Sequence, residues 1–275
     1  MTRFLVLASC ITATACVAKT RGQDQSLNQS EASVAGGSLA TEVENSGQTF
    51  GPVNSGSSLD RSCVELSGDI ADADGDSVPV AATLTFDCTT KALGFTATLT
   101  GTESVVDDQP NLAAWSFTAQ AHLEAVLTGP TGDTLTIDRD GSIVATQDGL
   151  LGPYHLQRNL AVSTVAAGSK PATIEADNAW MMTFKPQLEQ PWSGGDPVVG
   201  GKLDASGTWN FTVSDASNEI SVEATIDGSV TLSPSCATRV TSGTVTGTFA
   251  ADGATKSIEV TWSSCGQHTV AFSDQ

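Results

Sequence analysis

The chain has 275 residues, of which 39% are hydrophobic and only 5% aromatic, enough for the core of one large β domain or two small ones. Its 31 acidic residues against 12 basic ones give a net charge of −19, which repels nucleic acid and anionic headgroups and attracts cations or basic partners. The plainest use of such a charge is solubility outside the cell.

The N-terminus is an export signal in layout. Arg3 is followed by the apolar run Phe4-Leu5-Val6-Leu7-Ala8 and then by small residues up to Ala15 and Cys16. The run is too short to span a membrane. Small residues followed by Cys resemble the bacterial lipobox, the family signal whose Cys becomes the lipidated first residue of the mature protein. Two positions compete. Leu7-Ala8-Ser9-Cys10 fits the pattern locally but leaves a very short apolar run. Ala13-Thr14-Ala15-Cys16 has Ala where the family carries Leu, but its run is adequate, so Cys16 is preferred. An ordinary cleaved signal peptide is the alternative without lipid. The resemblance implies a signal peptide over 1–15, a palmitate-type acyl anchor on Cys16 and the membrane as a partner. Val17 and Ala18, rather than Asp, follow the Cys, which in that family implies the outer membrane.

Residues 16–58 read as a lipid-anchored flexible tether. They are rich in Ser, Gly, Gln, Asn, Glu and Thr, with scattered single apolar residues and no visible period. Such a segment is expected to bury too little surface to offset its ordering entropy.

Residues 59–275 read as one all-β domain. Apolar residues alternate at period two, as in a sheet with one wet and one dry face. Leu84, Phe86 and Cys88 share a face, as do Phe95, Ala97 and Leu99, and the seven residues from Trp115 to Leu127. Runs at 203–213 and 220–232 are as long. Shorter ones lie near 134–138, 142–146, 156–165, 172–184, 243–249, 256–262 and 268–272. Turn signals separate them: Gly129-Pro130-Thr131-Gly132, Asp138-Arg139-Asp140-Gly141 and Ala251-Asp252-Gly253. Eleven or twelve antiparallel strands are expected, as a large sandwich or a barrel-like meander. An outer-membrane barrel is disfavoured by a single Tyr and the lack of aromatic girdles.

Four cysteines remain outside the export segment. Pairing between sequence neighbours, Cys63–Cys88 and Cys236–Cys265, is favoured among the three connectivities. Zinc would want closer Cys pairs than these.

One motif carries candidate chemistry. Asp72-Ala73-Asp74-Gly75-Asp76 sets three carboxylates at alternate positions, as hard cations such as calcium require. It resembles the opening of an EF-hand loop and the aspartate-rich repeats of thrombospondin type 3. Ser77 stands where that loop has Gly and Thr83 where it has Glu; Asp69 or Asp87 is a candidate replacement ligand. A solvated acidic turn is the simpler reading. His122, His155 and His268 lie far apart, and no nucleophile, zinc or phosphate-loop motif is present. The turn leading into Ala82-Thr83-Leu84-Thr85-Phe86-Asp87-Cys88 resembles uncharacterised β-rich envelope lipoproteins, which brings no activity. The preferred expectation is a surface or periplasmic binding or structural module whose protein or carbohydrate ligand stays open. The alternative is an envelope hydrolase, in which His155 or His122 would have to meet a Ser and an acid.

Overall fold

The computed structural model describes residues 29–49 and 63–274, apart from 77, 113, 150–151, 188–199, 218 and 252. The signal segment with Cys10 and Cys16 lies outside the described residues, and so does Ser77. A helix, α1 (Gln29–Thr49), precedes twelve strands. These are β1 (Val64–Asp69), β2 (Ala81–Ala92), β3 (Phe95–Asp107), β4 (Ser116–Thr128), β5 (Thr134–Gln147) and β6 (Tyr154–Ala167). They continue with β7 (Ala172–Pro186), β8 (Gly201–Asp215), β9 (Glu219–Leu232), β10 (Val240–Ala251), β11 (Ala254–Ser264) and β12 (Gln267–Asp274).

The strands form one antiparallel sheet in sequence order, β1 at one edge and β12 at the other. Of the two expected all-β forms the meander is the one adopted, and it is not closed into a barrel. The strand count agrees with expectation through two offsetting differences. The expected turn at Asp138–Gly141 is the middle of β5, where Asp140 faces His122 and Gly141 faces Leu160. A Cβ at Gly141 would stand 2.9 Å from Leu160 Cδ1, so this Gly serves a close approach between strands. Against that lost turn, β1 adds a strand that alternation had not singled out.

Period-two alternation puts one face of the sheet inward. One row of directly paired residues crosses all twelve strands: Gly68, Ala82, Val105, Ala119, Ile143, Arg158, Trp180, Gly207, Ile226, Gly247, Ile258 and Phe272. Outward-facing positions are mostly polar, as with Lys202, Asp204, Ser206, Thr208 and Asn210 along β8.

Residues 29–49, expected within the tether, are instead a helix buried on this inner face. Ala32, Ala35, Leu39, Ala40 and Val43 are at most 1% exposed. Together with Gly36 and Ser46 they recur at helical three- and four-residue spacing, one stripe along the helix. The stripe escaped notice because only Leu39 and Val43 are large. Its small residues serve close packing: a Cβ on Gly36 would lie 2.4 Å from Val270 Cγ1. The helix packs against β8, β9, β11 and β12, and its polar side chains reach Arg158 on β6 and Asn178 on β7. Seven strands at a spacing of about 4.8 Å cover nearly three times the width of a helix, roughly 10–12 Å. The sheet must therefore curl around α1 to touch it from both β6 and β12.

Where the side chains of α1 reach β6 the core contains a charge pair. Arg158 Nη2 donates to Glu42 Oε2 at 2.5 Å and Nη1 to Ser46 Oγ; Asn178 Nδ2 adds a bond to Glu42 Oε2 at 3.2 Å. The guanidinium lies over Trp180, 5.8 Å from the ring centre. Burial pushes the Arg158 pKa down, and Glu42 opposes that shift. Both expected disulfides are present. Cys63–Cys88 fastens the start of β1 to β2, and Cys236–Cys265 joins the β9–β10 turn to the end of the β11–β12 hairpin.

Candidate metal centre

The loop between β1 and β2 is closed by Val80 N–H donating to Ala71 O at 2.9 Å. Within it, alternate aspartates turn the backbone by the local bonds that short carboxylates favour. Gly75 N–H donates to Asp72 Oδ1 at 2.7 Å, Asp76 N–H to Asp74 Oδ1 at 3.3 Å, and Val78 N–H to Asp76 Oδ1 at 2.7 Å. Gly75 has φ +85°, a left-handed conformation that a side chain would strain. The turn gathers the three carboxylates so that one oxygen from each lies within 4.8 Å of the others. The expected trio Asp72, Asp74 and Asp76 is therefore brought together in space.

Burial separates this cluster from a surface turn. Asp76 is 3% exposed, and its Oδ2 accepts no hydrogen bond; Asp74 Oδ2 is buried and equally without a donor. A buried acceptor left unpaired costs about 1–3 kcal/mol, and more if charged. Burial, with the charges of Asp74, Asp107 and Asp72, pushes the Asp76 carboxyl up to about 6, against a hydrogen bond from Val78 that pulls it down.

Asp107 was not anticipated from sequence. It ends β3, is 5% exposed, and its Oδ2 also lacks a donor. The β2–β3 hairpin places it. Ala92 faces Phe95 across a two-residue turn at Leu93 (φ 53°) and Gly94 (φ 82°), and that register runs to Ala81 opposite Val106. Asp107 N–H then donates to Val80 O at 3.2 Å, at the exit of the acidic loop. Reading that two-residue turn from sequence and counting back along both strands would have found it. The replacement ligands considered earlier do not converge in this way. Asp87 faces Thr100 on the exposed side of β2, and exposed Asp69 Oδ1 accepts from Ala71 N–H at 3.1 Å. Thr83 is mid-strand opposite Ser104.

The histidines are dispersed. His122 meets Asp140 across β4 and β5 on the exposed face. His268 lies 3.8 Å from Glu44, which also accepts from Trp262 Nε1 at 3.0 Å. His155 lies between Asp148 Oδ2 (3.0 Å at Nε2) and Thr183 Oγ1 (3.2 Å at Nδ1). This is an acid–base–hydroxyl sequence, but the hydroxyl is a threonine's and the ring is 43% exposed. A cavity of about 250 Å³ beside the β3–β4 loop is lined by uncharged residues, among them Gln109, Ser116, Thr146 and Gln147.

The chain matches no protein-family model, no curated protein and no solved structure.

Proposed function

We propose that this chain is an exported lipoprotein, tethered through Cys16, whose β domain serves as a binding or structural module of the bacterial envelope, in the outer membrane. The observation that carries the reading is the pair of disulfides, Cys63–Cys88 and Cys236–Cys265, because such bridges persist in oxidising compartments outside the cytosol. No helix among the described residues is long and apolar enough to cross a membrane. The outward face of the strands is mostly polar, as along β8, the reverse of what lipid contact requires, so an acyl chain is the more suitable membrane contact. A cavity lined by uncharged side chains suits holding a ligand better than cleaving one. The hydrolase reading rests on His155 between Asp148 and Thr183. That arrangement is open to water, where an attacking threonine gains little from its base.

Metabolic labelling with a palmitate analogue in a bacterial host tests the anchor. The full chain is expected to be acylated and to fractionate with the outer membrane, and Cys16→Ala to abolish both. Acylation that survives Cys16→Ala but is lost with Cys10→Ala would move the anchor. No acylation at all would sink the reading.

A further inference from the structure

We propose that Asp72, Asp74 and Asp76 bind a calcium ion, and that the ion clamps the edge strand β1 and its loop to the body of the sheet. This goes beyond the envelope reading and does not depend on where the chain is anchored.

Three observations converge. The turn holds three carboxylates with their oxygens within 4.8 Å of one another, the density of oxygen donors that a hard cation seeks. Asp76 is only 3% exposed, and its Oδ2 meets no donor in the protein. Asp107 comes from a different strand, is buried to a similar degree, and brings a further negative charge to bear on Asp76. A buried group of like charges with unmatched oxygens is unfavourable by itself and becomes favourable around a dication. Asp107 lies outside the tight trio and is not one of the three ligands; its part is to add negative charge at the exit of the loop.

The placement says what the ion would do. β1 is six residues long and pairs on one side only, with β2. Its first residue follows Cys63, which the disulfide fixes; its last, Asp69, opens the acidic loop. The loop's other end is hydrogen-bonded to Asp107 through Val80 O. A cation at the trio therefore secures the far end of a strand whose near end is already covalently fastened. Calcium suits the site better than magnesium, because an irregular set of carboxylates cannot easily supply the tight octahedron that magnesium demands. Three carboxylates in an exported module place the dissociation constant on the order of 10⁻⁴ to 10⁻³ M.

The test uses the disulfide-bonded protein after EDTA treatment and dialysis. Isothermal titration with CaCl₂ is expected to give one saturable site. At ten times its dissociation constant calcium should raise the melting midpoint by about 3–6 °C, and magnesium by clearly less. Hydrogen exchange at 64–80 should slow with calcium while that of β7–β9 stays unchanged. Asp107→Asn should melt higher than wild type in EDTA, having lost a repelling charge, and should bind calcium more weakly without losing the site. Asp87→Asn, in the exposed middle of β2, should keep the full response. Asp72→Asn, in the exposed part of the loop, removes one of the three ligands and should lose most of the calcium response. No saturable heat overturns the proposal. So do equal effects of calcium and magnesium, or a full response that survives in Asp72→Asn; general screening of an acidic chain would then be the explanation.

Discussion

Along the row from Gly68 to Phe272 the strands use the same alternation, yet none of the first five residues is buried and five of the last seven are. Ala82, Val105, Ala119 and Ile143 are half-buried, whereas Arg158, Trp180, Ile226 and Ile258 are buried. The neighbouring row repeats the step: Leu84, Glu103, Ala121 and Gly141 are half-buried, and Leu160, Asn178, Trp209 and Ala224 are buried. The boundary falls at β6, the last strand that the side chains of α1 reach. Alternation thus determines which face turns inward, but depth of burial depends on whether another element lies upon that face. On β6–β12 the inner face is sealed by a helix of small residues. On β1–β5 it is partly open, and there a disulfide and an acidic loop act at the edge.

The half packed on α1 is most vulnerable at the Glu42–Arg158 pair. Glu42→Ala would leave a buried guanidinium without its carboxylate, which typically costs about 3–5 kcal/mol. Urea unfolding should show the loss, and Glu103→Ala on the open half should cost far less. Next come the disulfides. Bridges spanning 25 and 29 residues each contribute about 3.5 kcal/mol in the loop-entropy model. The equilibrium cost should be similar for Cys63→Ser/Cys88→Ser and Cys236→Ser/Cys265→Ser. Native-state exchange should differ, with the first pair loosening mainly β1 and β2. Smaller again is Gly36→Ala. Its methyl would meet Val270 and Ile258, so about 1–3 kcal/mol is expected despite the better helix propensity of Ala. A variant as stable as wild type would mean that α1 is held less closely than described.

The sheet was legible because alternation at period two survives averaging over thirteen residues, as in Trp115 to Leu127. The disulfides were legible because each pair closes a hairpin-scale span. The helix was not, since Ala32, Ala35, Gly36 and Ala40 look like linker residues until their three- and four-residue spacing is followed. What stabilises α1 is the sheet it fills, a tertiary effect absent from local composition. At the acidic loop, the spacing of Asp72, Asp74 and Asp76 identified the trio. Asp107 needed the β2–β3 register, and Gly141, taken for a turn, needed the knowledge that Leu160 would lie against it.

The smallest expected effect belongs to the open half. His122 on β4 and Asp140 on β5 face each other on the outward side. The hydrogen bond and charge of Asp140, helped by Asp138 and Glu124, raise the His122 pKa above its ordinary 6.5; partial desolvation opposes them slightly. A histidine whose folded pKa exceeds its unfolded value binds its proton more tightly when folded. Any stabilisation is therefore complete below the unfolded pKa, near 6.5, and disappears as pH rises through the raised folded value. Both side chains are largely in water, where such pairs contribute little and salt screens them. The measurement is an NMR titration of the His122 ring. Its midpoint should lie above 6.5 in wild type, and fall towards that value in Asp140→Asn and in 1 M salt. An unchanged midpoint in Asp140→Asn would show that the pair across β4 and β5 does not form in solution. The register of the open half would then be looser than that of the half packed on α1.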